Sequence, residues 1–219
     1  MKTALIIGST GLIGSTLLKQ LLNNKEYSKV ITFSKRKTGV QHPKFTEEII
    51  DFDKPESYES LVKGDDFFCT IGTTIKKAGS KEAFKKVDFE YPKQFATIAL
   101  KNGVKQFLII SSMGADKDSN SFYLKTKGSI EDFLKQSAFE SVAVLRPSIL
   151  LGNRDEFRLG EKIGGFVMKA FSFLLVGKLK NYKPIESATV AKALEIIALK
   201  NTTGFTIYNS AAIEEIVNS

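Results

Sequence analysis

The sequence predicts an α/β fold, a doubly wound parallel sheet in a single domain spanning residues 1–219. Two patterns support this prediction. Short apolar runs alternate with amphipathic segments along the chain, and the runs are continuously apolar rather than alternately apolar and polar. Strands of that kind are buried on both faces, as they are when helices cover both sides of a parallel sheet.

Seven strands and five helices follow from these patterns. The strands are expected at TALII (3–7), KVITF (29–33), TEEIIDF (46–52), DDFFCTIG (65–72), VKQFLIISS (104–112), SVAVLRP (141–147) and FTIYN (205–209). Helices are expected at 11–23, 55–62, 81–102, 120–136 and 189–200, with Gly103 ending the third and Thr189 capping the last. The region 152–188 breaks the alternation, and we expect it to form a small substrate-side or partner-binding excursion.

Composition and charge are those of an ordinary globular protein. The chain is 42% hydrophobic and 26% charged, with a formal net charge of +8 at pH 7. Its lysines are scattered, and it has neither an arginine-rich arm nor zinc-ligand spacing, so we expect no nucleic-acid partner and no metal site. The single cysteine, Cys69, allows no internal disulfide, which suits a reducing compartment and predicts a cytoplasmic protein.

The most apolar stretch is IGGFVMKAFSFLLVG, at 163–177. It is too short to span a bilayer and Lys169 interrupts it, so we expect no membrane span. We expect a helix here that packs on the core or on a partner, either another protein or a second copy of the chain. The apolar run after Lys2 is likewise too short for a signal peptide.

The glycines of GSTGLIG mark the end of the first strand and the start of the first helix. Gly8, Gly11 and Gly14 are more than a strand-to-helix turn needs, which suggests that a ligand comes close to the backbone. A pyrophosphate here would meet free N–H groups and the positive end of the helix dipole. Within a first βαβ unit the pattern predicts Rossmann-like dinucleotide binding; a tight turn with close helix–strand packing is the alternative.

The residues after the second strand indicate which dinucleotide is bound. An NAD site commonly has an acidic residue there, for the ribose hydroxyls. This sequence has FSKRK instead, and Lys35 and Arg36 would attract a 2′-phosphate, so we expect NADP(H). A solvated basic loop is the alternative. Asp51, after the third strand, is either an acceptor for the adenine amino group or an ordinary strand-end aspartate.

The segment YLKTK carries the residues expected to do chemistry. Tyr123 and Lys127 share one helix face and follow the fifth strand, which ends at Ser111 and Ser112. A lysine ammonium one turn away favours the phenolate and can hold ribose hydroxyls, while a serine hydroxyl can polarise a carbonyl. Such groups move a proton to or from an oxygen while a nicotinamide moves hydride. A surface helix with an exposed tyrosine is the alternative.

Four longer motifs carry a family resemblance: GSTGLIG, FFCTIGTTIKKAGS, VKQFLIISSMGADKDSNSFYLKTKGSIE and LRPSILLGNRDEFRLGE. Over nearly its whole length the chain resembles the short-chain dehydrogenases/reductases, in their atypical, extended-like branch. It is most similar to the Tat-interacting-protein type of oxidoreductase and its small bacterial relatives. The resemblance implies NADP(H) as the cofactor.

The resemblance also implies a role for each matching position. The pyrophosphate loop falls on Thr10, Gly11, Leu12 and Ile13, the 2′-phosphate pair on Lys35 and Arg36, and further cofactor contacts on Ile71, Gly72, Leu150 and Arg158. Tyr123 falls on the proton donor or acceptor and Lys127 on its partner. Where relatives have an arginine pair, this chain has Lys-Arg. Alignment with the sugar-nucleotide epimerases places Met113 near their serine, leaving Ser111 or Ser112 as the substitute.

Three functions are compatible with these residues. The first is an NADP(H)-dependent oxidoreductase acting on a small carbonyl or alcohol, which the intact Tyr123 and Lys127 favour. The second is an NADPH-binding sensor with little turnover, which would act on a protein partner through 163–177. The third is a nucleotide-sugar epimerase or dehydratase, which ranks last because little chain follows the sixth strand to form a substrate domain.

Overall fold

The computed structural model describes residues 1–152, 182–200 and 202–219, and most of its strands form a single parallel sheet. The strands are β1 (Lys2–Ile7), β2 (Tyr27–Ser34), β3 (Phe45–Ile49), β4 (Asp66–Cys69), β5 (Gln106–Ile110), β6 (Ser141–Arg146), β7 (Leu150–Leu151), β8 (Ile185–Glu186) and β9 (Gly204–Asn209). Seven of them form a sheet in the order β3-β2-β1-β4-β5-β6-β9, and every neighbouring pair is parallel. The predicted doubly wound parallel fold is confirmed.

The helices cover both faces of this sheet. They are α1 (Leu12–Asn23), α2 (Ile75–Ala78), α3 (Lys81–Lys85), α4 (Tyr91–Lys101), α5 (Phe122–Lys135), α6 (Ser187–Leu199) and α7 (Ser210–Asn218). On one face, α1 packs against α6, and its buried leucines Leu17, Leu18 and Leu21 join the core there. On the other face, α4 and α5 cover an aromatic core. No helix in the described ranges is long and apolar enough to cross a membrane.

The aromatic core explains why several strands contain phenylalanine. Phe95 of α4 lies at its centre, stacked on Tyr58 with ring centroids 5.1 Å apart and packed on Phe33 and Phe67 at 5.7 and 5.6 Å. Phe67 in turn stacks on Phe107 of the neighbouring strand at 4.9 Å. Paired rings contribute beyond their buried area, so this cluster fixes α4 against the middle of the sheet.

Several predicted boundaries differ from the structure. The strand expected at 46–52 ends at Ile49, and the helix expected at 55–62 is two 3₁₀ turns, Pro55–Ser57 and Glu59–Leu61. The helix expected at 81–102 is divided by a π-helical turn at Lys86–Glu90. The helix expected at 189–200 begins two residues earlier, since α6 spans Ser187–Leu199.

Two further predictions need correction at the end of the chain. Thr189 does not cap α6, because Glu186 occupies the N-cap and Thr189 lies inside the helix. Helix α7 had no predicted counterpart, although Asn209 caps it by accepting a hydrogen bond from the Ala212 N–H at 3.1 Å. Of the expected excursion at 152–188, residues 185–188 belong to β8 and α6. The apolar segment 163–177 and Arg158 lie outside the described residues.

The strand order locates the crevice where ligands bind in such sheets. From β1 the chain moves outward through β2 and β3, then returns to place β4 on the other side of β1. Helices connected on either side of this reversal diverge and leave a crevice at the carboxyl ends of the strands. The glycine loop after β1 and residues 70–74 after β4 border that crevice.

Candidate active site

A cavity opens at the carboxyl ends of β1, β4, β5 and β6, and it gathers many of the predicted site residues. It is lined by Gly11, Leu12, Ile13, Thr70, Ile71, Gly72, Thr73, Asp88, Ile110, Ser111, Ser112, Tyr123, Lys127, Pro147, Ser148 and Leu150. The predicted residues Gly8, Thr10, Gly14, Lys35, Arg36 and Asp51 do not line it. Six separate parts of the chain therefore supply one site: residues 11–13, 70–73, 88, 110–112, 123–127 and 147–150.

The three glycines of the loop have different roles, since two are needed for close packing and one lines the cavity. A Cβ on Gly14 would lie 2.1 Å from the Gly8 carbonyl oxygen, and one on Gly8 would lie 2.6 Å from the Ile71 backbone nitrogen. Gly8 also has a φ of +88°, which favours glycine. These two glycines are required by close packing of the loop against α1 and β4. Only Gly11 lines the cavity, so only one of the three faces the space for a ligand.

The start of α1 fits a phosphate group. Gly11 is the N-cap, and no side chain caps the helix there. The first N–H groups of a helix have no partner within the helix, and the helix dipole favours negative charge at that end. Uncapped donors at a helix start are what an anionic ligand would satisfy. Ser9, two residues before the N-cap, is buried and its hydroxyl has no hydrogen-bond partner among the described residues, but it does not line the cavity.

Helix α5 carries Tyr123 and Lys127 into the cavity. Ser121 caps its start by accepting a hydrogen bond from the Leu124 N–H at 3.5 Å. Gly128 lets the helix pack closely, since a Cβ there would lie 2.2 Å from backbone atoms of Asp116 and Lys117. The helix is thereby held against the loop that follows β5, and the tyrosine and lysine face the same cavity as Ser112.

Lys127 is buried beside a carboxylate. Its Nζ lies 2.8 Å from Asp88 Oδ1 and donates a hydrogen bond to the Ile110 carbonyl at 3.4 Å. The Lys127 and Asp88 side chains are 7% and 1% exposed. Burial alone would lower the pKa of Lys127, but the facing Asp88 carboxylate, with a contribution from Tyr123, holds that pKa above its ordinary value. The amine is therefore a cation at neutral pH.

The two serines after β5 have different surroundings. The buried Ser111 hydroxyl donates a hydrogen bond to Glu131, and Arg146 holds the same carboxylate from the other side, with Nε 3.1 and 3.2 Å from its two oxygens. The Ser112 hydroxyl is half-buried and donates only a long bond, 3.4 Å, to the Met113 carbonyl. Of the two alternatives for a carbonyl-polarising hydroxyl, the geometry favours Ser112.

The basic pair after β2 lies outside the cavity. Lys35 and Arg36 are exposed, and Lys35 Nζ lies 5.6 and 5.4 Å from the ring centroids of Phe52 and Tyr91. A cation over two aromatic faces is attracted by their quadrupoles. Asp51 is exposed, and its Oδ1 accepts a hydrogen bond from the Asp53 N–H at 3.0 Å. These residues follow β2 and β3, and they do not line the cavity that contains Tyr123.

Sequence reasoning did not include several residues that line the cavity. Thr70, Thr73, Asp88, Pro147 and Ser148 were absent from the predicted set. Thr70 and Pro147 lie in the last three residues of predicted strands and Ser148 directly follows one, so their position at strand ends was a usable signal. Asp88 had none, because an acid within a lysine-rich helix is usually solvated.

Fold and cavity together define a Rossmann-type protein of the short-chain dehydrogenase/reductase class. In comparisons, a family model described as NAD(P)H-binding matches residues 8–170. The rat protein HTATIP2 is 37% identical over 164 residues, 73% of this chain and 67% of its own length. Protein FMP52, mitochondrial, of Meyerozyma guilliermondii is 38% identical over 155 residues, 69% of this chain and 66% of its own length.

A solved structure shows the same fold. The Bordetella bronchiseptica enzyme WbmH in complex with NAD+ superposes with a TM-score of 0.72, covering 100% of this chain and 80% of that one at 18% identity. The chain belongs to the NAD(P)H-binding family, as an atypical short-chain dehydrogenase/reductase of the HTATIP2 type. The family resemblance stated from the sequence motifs is confirmed.

Proposed function

We propose that the protein is an NADP(H)-dependent oxidoreductase that interconverts a small carbonyl compound and its alcohol. The observation that carries this proposal is the convergence on one cavity of the uncapped start of α1, the Ser112 hydroxyl, Tyr123 and the cationic Lys127. An uncapped helix start and a tyrosine–lysine pair have no structural reason to share a cavity. They share one where a dinucleotide and a second substrate must meet.

Each group has one task in the proposed reaction. Ser112 would donate a hydrogen bond to the carbonyl oxygen, and Tyr123 would hand its phenolic proton to that oxygen and regain a proton from solvent. Lys127 would hold the ribose hydroxyls of the cofactor. When bound, the nicotinamide supplies or accepts the hydride at the carbonyl carbon, so that hydride and proton together balance the reduction.

Preference for NADP(H) over NAD(H) rests on the pair Lys35 and Arg36. Both side chains are exposed at the end of β2, where an acidic residue would favour NAD. A charge-assisted contact to the 2′-phosphate contributes about 1.5–3 kcal/mol, roughly a ten-fold or larger difference in affinity. Asp51 would then lie near the adenine.

The experiment combines binding with turnover. Thermal shift with NADPH and with NADH measures cofactor preference, because a ligand that binds the folded state raises the melting temperature by mass action. Loss of NADPH absorbance against a panel of aldehydes and ketones measures reduction. Stabilisation by NADPH with turnover of a carbonyl supports the proposal, and absence of stabilisation by either dinucleotide contradicts it.

Stabilisation without turnover of any carbonyl would favour the sensor alternative, in which the bound dinucleotide alters partner binding.

We propose that the protein acts in the cytoplasm, because its single cysteine is buried and unpaired, although the fungal relative carries a mitochondrial name. Cell fractionation with a tagged chain distinguishes these compartments.

A further inference from the structure

Asp88 is a carboxylate buried at the junction of three elements. Its Oδ1 lies 2.8 Å from Lys127 Nζ on α5, and its Oδ2 accepts a hydrogen bond from the Thr73 N–H at 2.9 Å, in the segment after β4. It lines the cavity, and it is the only acidic side chain to do so among the described residues. The proposed function assigns it no task.

An irregular backbone brings this side chain inward. Asp88 lies at the middle of the π-helical turn Lys86–Glu90, between α3 and α4. The ends of the turn are exposed, and their charges pair outside the cavity: Lys86 Nζ lies 2.8 Å from Asp53 Oδ1, and Glu90 Oε1 lies 3.5 Å from Lys85 Nζ. Single π-helical turns inside α-helices are frequent at functional sites. Here the irregularity coincides with the burial of one acid against the site lysine.

The pair borders the cavity next to a glycine. A Cβ on Gly72 would lie 3.4 Å from Asp88 Oδ1 and 3.9 Å from Lys127 Nζ, so the backbone of Gly72 lies against both groups. Gly72, Asp88 and Lys127 all line the same cavity. The buried ion pair is therefore part of the cavity wall and not of the apolar core.

We propose that Asp88 is a positioning residue that holds the Lys127 ammonium, charged and fixed in direction, at the wall of the cavity. Asp88 acts through Lys127 and need not touch the substrate. This inference rests on the proposed function for the ligand that Lys127 contacts, but the pairing itself does not. Because Asp88 and Lys127 together are neutral, attraction of the dinucleotide phosphates is left to the start of α1 and to the basic pair after β2.

Removing the charge of Asp88 changes the protonation of Lys127. The groups that face Lys127 are Asp88, Tyr123, the Ile110 carbonyl and Cys69. Burial raises the pKa of the Cys69 thiol to about 12, so that group is neutral. With asparagine at 88, burial therefore acts on the lysine without a compensating anion and favours the neutral amine.

The test compares Asp88→Asn with a matched variant at the opposite end of the sheet. Asp66 is also buried, and its Oδ2 lies 2.8 Å from Lys2 Nζ, far from the cavity. Asp66→Asn removes the same charge from the same kind of pair. In protein carrying ¹³C-labelled lysine, the Lys127 signal is identified by its loss in Lys127→Met and followed with pH, without any ligand. We expect Lys127 to lose its proton at least about one pH unit lower in Asp88→Asn than in wild type.

The second measurement is NADPH affinity as a function of pH, by the fluorescence of the reduced nicotinamide, taken from about pH 6 to beyond the pH at which Lys127 titrates in Asp88→Asn. Relative to wild type, we expect the affinity of Asp88→Asn to fall only above that pH, by about ten-fold per pH unit, because the charged fraction of a base falls ten-fold per pH unit above its pKa. Asp66→Asn should follow the wild-type profile. Melting curves of all three proteins confirm that they are folded at each pH.

The outcomes separate the two proposals. Identical Lys127 titrations in wild type and Asp88→Asn would overturn the positioning role, whatever the ligand is. A shifted titration with an unchanged pH profile for NADPH would also overturn it, because the charge would then be held without use in binding. If wild type binds no dinucleotide, the proposed function fails, and the lysine titration alone decides the role of Asp88.

Discussion

The ring of Tyr123 packs against the ring of Phe84, with centroids 5.5 Å apart. Phe84 is fully buried in α3, so its ring gives Tyr123 a fixed packing surface. The Tyr123 hydroxyl makes no hydrogen bond within the described residues. The ring of Tyr123 is thus held by packing and not through its hydroxyl, so removing the hydroxyl should leave the ring in place.

For Tyr123→Phe we therefore expect a melting temperature and NADPH affinity close to wild type, because the ring still packs on Phe84. Carbonyl reduction should fall by about 10²–10⁴, the usual contribution of a general acid. Tyr91→Phe is the matched control: it also removes one phenolic hydroxyl, which donates to Asp53 at 2.9 Å outside the cavity. Full activity of Tyr123→Phe with a confirmed substrate would mean that another group supplies the proton.

The serine variants should separate structure from chemistry. Ser112→Ala should lower carbonyl turnover with little change in stability, because its hydroxyl makes only a 3.4 Å bond. Ser111→Ala should lower the free energy of unfolding by about 1–3 kcal/mol, because Glu131 loses a buried donor, and should leave turnover nearer to wild type. Urea unfolding and steady-state kinetics on both variants decide the question. Larger loss of turnover in Ser111→Ala would reverse the assignment.

Cofactor preference should depend on Arg36. Arg36→Glu should reduce the affinity for NADPH at least about ten-fold and leave NADH binding close to wild type, since only NADPH carries a 2′-phosphate. Lys37→Glu makes the same change of charge at the next exposed position and serves as the control. Titration calorimetry with both dinucleotides measures the ratio. An equal loss in the two variants would indicate general electrostatics rather than a phosphate contact.

Cys69 should make stability depend on pH in the alkaline range. Burial raises the pKa of its thiol to about 12, whereas an unfolded cysteine ionises near pH 8.5. The folded state keeps its proton while the unfolded state loses it, so this contribution to stability is complete below about pH 8.5 and is lost as the pH rises towards 12. The loss reaches about 2 kcal/mol at about pH 10. Urea unfolding should show a shallower alkaline decline for Cys69→Ala, and parallel pH profiles would contradict the burial effect.

The sequence was sufficient for the fold because each central strand is a continuous apolar run, and such runs are unambiguous where helices cover both faces. It was less informative where tertiary contacts decide. Helix α7 is short, and its apolar residues bury only by packing on a neighbouring helix and strand. The division of the helix at 81–102 depends on a π-helical turn that no local residue pattern announces.

The site shows the same limit. Residues at strand ends, such as Ser112 and Leu150, could be placed from order along the chain, since parallel strands end at one edge. The hydrogen bond from the Ser111 hydroxyl to Glu131 could not be predicted, because it depends on how α5 packs on the sheet, where Arg146 of β6 also binds the Glu131 carboxylate. Nor could the inward direction of Asp88, whose neighbours Lys86 and Glu90 face solvent.

The last prediction concerns the two kinds of glycine in the loop. Gly14→Ala should destabilise the fold by about 1–3 kcal/mol, because its Cβ would lie 2.1 Å from the Gly8 carbonyl oxygen and the backbone must shift. Gly11→Ala should melt close to wild type. Its φ of −84° suits any residue, and its nearest new contact, also with the Gly8 oxygen, is 3.2 Å. Gly11→Val should bind NADPH far more weakly while staying folded, since a branched side chain there enters the cavity at the start of α1. Melting curves and NADPH titration on the three variants measure both effects. If Gly11→Val retained wild-type affinity, the loop would be a packing turn at all three glycines, and the phosphate site would have to lie elsewhere.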